Sequence, residues 1–168
     1  MIMKKFSARK ICIYAVFSCL ALILGYVESL VGLDFLVPGM KIGISNAVAL
    51  YLIGKEKPLM GFVINTVRIL LSAVLFGSAI SFAFSVAAGT ASVLVMIALS
   101  KIKGIGIIGI SIVGSIVHNI TQLAVAILIL GFSVISYLPF LLVAATAAGS
   151  LTGILTAVLT DKTKNINF

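Results

Sequence analysis

The sequence is poor in the groups that most chemistry needs. Its 168 residues include no tryptophan, one histidine, two cysteines, three prolines and four acidic residues. The only aspartates, Asp34 and Asp161, fall on opposite sides of the topology derived below, so an aspartate-rich magnesium-diphosphate site cannot be assembled. Ser-His-Asp chemistry lacks an acid at depth, and no catalytic residue is expected. His118 has no cysteine or carboxylate near it in sequence, which argues against a metal site. No G-x-x-x-x-G-K-[ST] loop is present, because Gly54-Lys55 runs into Glu56. ATP hydrolysis by that route is excluded, and no cofactor is expected. Cys12 and Cys19, seven residues apart on one helix, would stand about 10.5 Å apart, beyond the roughly 7 Å reach of a disulfide. They read as small hydrophobes. Charged residues are 10% of the chain, against about 25% in soluble domains, so a water-soluble globule is excluded. The net charge of +8 does not imply nucleic acid, since the basic residues sit between apolar runs rather than on one solvated face.

What the chain has in excess is oil: 62% of its residues are hydrophobic. A bilayer-spanning helix takes about 20 apolar residues. Six apolar segments fit, at about 11–30, 40–54, 58–77, 79–100, 106–131 and 134–160, leaving only short loops. Sustained alternation is missing, which excludes strands and an outer-membrane barrel. The first run is long enough to span and no small-x-small site follows it, so it reads as a retained helix rather than a signal peptide. The charges test this division. Lys4, Lys5, Arg9 and Lys10 precede segment one; Lys55 and Lys57 follow two; Lys101 and Lys103 follow four; Lys162 and Lys164 follow six. These basic residues mark every second boundary, which puts both termini in the cytoplasm. The expectation is a single all-α membrane domain over residues 1–168, multi-pass in the cell membrane, with the lipid bilayer as its first partner.

Lys41 and Arg68 are left over. Arg68 lies mid-way along segment three, where a charge costs at least about 2.5–3.5 kcal/mol. Gly61, Asn65, Arg68 and Ser72 fall within about 60° on a helical wheel. Arg68 either holds an anionic ligand by its planar fork or pairs internally with Glu28 or Asp34. Segment five carries a second stripe of Ser111, Ser115, His118, Asn119 and Gln122, with isoleucine and valine opposite. This stripe lines a polar cavity or ties helices together. The third candidate is Pro38-Gly39-Met40-Lys41-Ile42-Gly43-Ile44-Ser45-Asn46, a turn opening a short helix. Free N–H groups there favour anions, with Lys41 adding charge and Asn46 a carboxamide; an interfacial anchor is the alternative. Ser81, Ser85, Ala88, Gly89 and Ser92 in segment four, and Ala145, Gly149 and Gly153 in segment six, are small residues suited to close packing. Residues 61–77 and 115–131 also align weakly, matching Asn65 with Asn119 and Arg68 with Gln122.

PGMKIGISN (38–46), NTVRILLSAVLFG (65–77), SIVGSIVHNITQL (111–123) and YLPFLLVAATAAGSLTG (137–153) resemble the Gx transporter family, whose members are also labelled heptaprenyl diphosphate synthase component I. The resemblance covers about residues 10–160. That family is similar in plan to the substrate-binding S components of energy-coupling factor transporters, which implies six helices, cytoplasmic termini and a site near the outer side. The Ala-x-x-x-Ala docking pattern of S components has only Ala15…Cys19 and Ala21…Gly25 as counterparts. The implied function is a non-enzymatic substrate-binding subunit for an anionic or amphipathic small molecule. Its expected contacts are Arg68, His118, Asn119, Gln122, Asn65, Lys41 and Asn46, and energising transporter subunits would be its partners. The alternative is a membrane component of polyprenyl diphosphate synthesis that docks a cytoplasmic enzyme.

Overall fold

The computed structural model describes residues 8–31, 43–76 and 78–165. Six α-helices follow in order: α1 (Ala8–Val31), α2 (Ala47–Gly54), α3 (Pro58–Phe76), α4 (Ala79–Ser100), α5 (Ile107–Leu130) and α6 (Leu138–Lys162). A 3-10 turn, Ile44–Asn46, leads into α2, and a second, Phe132–Tyr137, leads into α6. Five helices are long and apolar enough to cross a membrane, and their outward faces carry leucine, isoleucine and valine. With no backbone group left for lipid to satisfy, helices are the form such segments must take. The chain is an all-α, multi-pass membrane protein.

The second segment differs from its expected extent of 40–54. Its helical part is Ile44–Gly54, about 16 Å at 1.5 Å per residue, roughly half of a 30 Å hydrocarbon core. The cause is local. Gly43 has φ 96°, a left-handed conformation that breaks a helix and that side chains resist. Lys41, Pro38 and Asp34 lie outside the described residues.

The ends of the helices agree with the charge pattern. Lys55 Nζ donates to the Thr163 carbonyl, and Tyr51 and Thr163 share a hydroxyl hydrogen bond of 2.9 Å. A methyl group on Gly54 would stand 3.0 Å from Ile107 and 3.3 Å from Thr160. The lysines after α2 and at the end of α6 therefore sit at one end of the bundle, beside the start of α5.

Packing runs mainly from α4 through α5 to α6, and from α1 through α3 to α4. Gly149 and Gly153 let α6 lie against α5 so closely that a Cβ would come within 2.8 Å of Ile112 Cα or 2.9 Å of Ile108 Cα. Their backbone approach, expected from the spacing of four, is the small-residue packing of membrane helices. By contrast α1 and α6 scarcely touch; both flank α2. Cys12 and Cys19 are unpaired and face outward from α1.

Candidate functional site

The two polar stripes face inward and meet. Gly61, Asn65, Arg68 and Ser72 of α3 are buried, as are Ser111, Ser115, His118, Asn119 and Gln122 of α5. Between them lies the 3-10 turn with Ser45 and Asn46, also buried. Such a concentration of polar groups away from both ends of a membrane bundle costs free energy unless each group is answered.

Arg68 is 2% exposed. Its Nη1 donates to Ser45 Oγ at 2.8 Å and its Nη2 to Asn65 Oδ1 at 2.9 Å. Asn65 in turn donates to the Gly89 carbonyl of α4 at 3.2 Å. The guanidinium Nε has no hydrogen-bond partner among the described residues.

Glu28 is 1% exposed, and its carboxylate binds the turn rather than Arg68 directly. Oε1 accepts from the Gly43 N–H and, at 3.2 Å, from the Ile44 N–H; Oε2 accepts from the Ser45 N–H at 3.2 Å. The N–H groups expected to be free for an anion are thus filled by an anion of the chain's own. Arg68 and Glu28 do not form an ion pair within 4 Å; Ser45 stands between them, taking Arg68 at its hydroxyl and Glu28 at its amide. The two buried charges nevertheless cancel within one small region.

His118 joins the turn to α5. Its Nδ1 lies 3.2 Å from Asn46 Nδ2, and its Nε2 lies 3.1 Å from Gln122 Nε2. A neutral imidazole has one N–H and one acceptor, so both carboxamides cannot present NH₂ to it. Ser92 Oγ donates to the Gly114 carbonyl at 2.8 Å, and can only accept from Asn46 Nδ2 at 3.3 Å. Asn46 therefore offers NH₂ on this side, and His118 Nδ1 accepts from it. With Nδ1 accepting, a neutral ring carries its proton on Nε2, the atom that faces the Gln122 carboxamide. Gly43 is required here twice over. Besides its left-handed φ, a Cβ on it would stand 3.2 Å from His118 Cδ2.

A cavity of about 10 Å³, room for one water, is lined by Asn46, Ser92, Ser111, Ser115 and Thr152 with apolar neighbours. Ser111 and Thr152 share a hydroxyl hydrogen bond of 2.9 Å that ties α5 to α6. Asn46 Oδ1 has no partner among the described residues.

Of the candidate residues, Arg68, Asn65, Asn46, His118, Asn119 and Gln122 all lie in this buried region, and Lys41 lies outside the described residues. Three further residues take roles that the sequence did not define. Ser45, part of the candidate turn, bridges the charges; Ser92, expected only to pack, orients Asn46; and Glu28, offered as an internal partner of Arg68, is a core residue that binds the turn instead. Of the residues paired by the weak internal repeat, Asn65 donates across to the Gly89 carbonyl of α4 at 3.2 Å, and Asn119 donates to the Ser115 carbonyl of its own helix at 3.0 Å.

No curated protein and no solved structure matches the chain. The family model described as heptaprenyl diphosphate synthase component I matches residues 17–159, nearly all of this buried network among them, and the chain belongs to that family.

Proposed function

We propose that this protein is a small membrane subunit that captures an anionic or amphipathic small molecule in the buried polar centre and passes it to a transport partner. The supporting observation is the convergence, inside one membrane bundle, of Arg68, Asn65, Asn46, His118 and Gln122, with Arg68 Nε and Asn46 Oδ1 left without partners among the described residues. Packing alone does not require an arginine at this depth. The remaining cavity admits about one water, so a ligand enters by displacing the Gly43–Asn46 turn. Side-chain bonds from Glu28, Arg68, Ser92 and His118 hold that turn, and a ligand that enters must replace them. An incoming carboxylate or phosphate is met by Arg68, whose Nε has no hydrogen-bond partner among the described residues. Asn119 and Lys41 complete the proposed set. Energy comes from a partner or an ion gradient, since the sequence has no phosphate loop, and the role is binding rather than catalysis.

The test is native mass spectrometry of the purified protein together with uptake in cells. A co-purifying small anion that is lost in Arg68→Ala, with uptake reduced at least about tenfold, fits a lost charge-assisted contact. No bound molecule, with uptake unchanged in that variant, refutes the reading.

The family's description supports a second reading, a membrane component of prenyl diphosphate synthesis that docks a cytoplasmic enzyme. Its docking surface would be the end carrying Lys55, Lys57, Lys101, Lys103, Lys162 and Lys164. Neutralising these lysines would then abolish co-purification of the enzyme, while His118→Ala would leave it intact.

A further inference from the structure

Between α1 and α6, which scarcely touch, runs a groove of about 440 Å³ with α2 as its floor. Phe17, Leu20, Leu24, Val48, Leu155 and Leu159 line it, and it ends at Tyr51 and Thr163. We propose that this groove is a lipid site that holds one acyl chain of an anionic phospholipid, with the headgroup at the lysine-rich end of the bundle.

Length and charge both point to that occupant. On α6 the groove runs from Thr152 to Thr163, about 16 Å at 1.5 Å per residue. One leaflet of hydrocarbon is about 15 Å deep, half of the full core. The groove therefore has the depth of a single leaflet, and it opens on the side that the basic residues assign to the cytoplasm.

The walls are mainly apolar, with Thr152 and Thr156 set among the leucines, and the groove ends where Tyr51 and Thr163 share a hydroxyl hydrogen bond and Lys55 binds the Thr163 carbonyl. Lys162 is exposed and follows Leu155 and Leu159 at helical spacing, which places it on the same face of α6. Two cations thus flank the mouth of an oily slot, an arrangement that complements a phosphate on an alkyl chain. This inference does not depend on the ligand of the polar centre. The two sites meet at Ala47 and Thr152, which line both the groove and the polar cavity.

The experiment reconstitutes the full chain in nanodiscs of equal parts phosphatidylglycerol and phosphatidylcholine and counts retained lipid by native mass spectrometry. One retained phosphatidylglycerol per protein is expected, preferred over phosphatidylcholine at least about tenfold given two lysines near the headgroup. Lys55→Gln combined with Lys162→Gln should keep a bound lipid and lose the preference. Leu155→Trp, on an outward-facing position that tolerates bulk, should fill the slot and abolish retention with an unchanged melting temperature. Equal retention of both lipids by the native chain, a preference that survives loss of both lysines, or a lipid-free dimer overturns the proposal.

Discussion

At the scale of single residues, the centre of this protein is a problem of two buried charges with one hydroxyl between them. Glu28 and Arg68 are 1% and 2% exposed. Removing either leaves the other uncompensated, a loss of about 3–5 kcal/mol for buried pairs. Glu28→Ala should therefore lower thermal stability in detergent sharply, and Arg68→Ala likewise. The double variant should cost less than the sum of the two, by about 0.5–3 kcal/mol, because neither charge is then left alone. Strict additivity in that cycle would mean that Ser45 insulates the charges rather than linking them. Gly43→Ala combines a strained φ with a contact at His118. It should weaken any ligand bound at the turn and destabilise the chain by about 1–3 kcal/mol, measured by the same melts.

At the scale of elements, the inward faces of α3 and α5 were legible from periodicity. A stripe repeating every three or four residues fixes its own direction once one member is too costly to face lipid, and Arg68 and the His118–Gln122 run each supply that member. The start of α2 was not legible. It depends on a glycine taking φ 96° and on a carboxylate from α1 filling the turn, fifteen to seventeen residues away in sequence. Ser92 was read as packing because a serine among small residues looks the same whether it merely fits or also bonds. Only its distances to Gly114 and Asn46 separate the two. Gly149 and Gly153 needed no such help, since spacing alone puts them on one face. Gly149→Val places a side chain against the backbone of α5, where a Cβ already meets Ile112 Cα at 2.8 Å. Overpacking of this kind costs about 1–3 kcal/mol, and Ser150→Val, one residue away and without such a contact, is the control that should leave melting unchanged.

At the scale of the molecule, five full helices and one half-length helix divide the basic residues so that the lysines after α2, after α4 and at the end of α6 belong to one side. Reporter domains fused after residues 57 and 103 should be active in the cytoplasm, and fusions after 78 and 131 outside it. A reporter after 103 that scores outside would break the assignment, since the pair Lys101 and Lys103 would then lie on the disfavoured face. The gathering of these helix ends at one end of the bundle was readable because it depends on counts of lysine at loops. The closure of the polar centre was not, because it depends on a carboxylate of α1 meeting three N–H groups of a turn that side chains of α3, α4 and α5 also hold.

The outward-facing cysteines of α1 have a use that their lack of bonding partners conceals. Cys12 and Cys19 are two turns apart on nearly the same side of one helix, separated by about 10.5 Å along its axis. Both are free and accessible. Single-thiol forms, each with the other cysteine replaced by serine and carrying a nitroxide, would report two depths in the bilayer from native cysteine positions, without introducing a new thiol. The difference between those depths, divided by their axial separation, is the cosine of the tilt of α1, and so measures how far the wall of the lipid groove leans in the membrane.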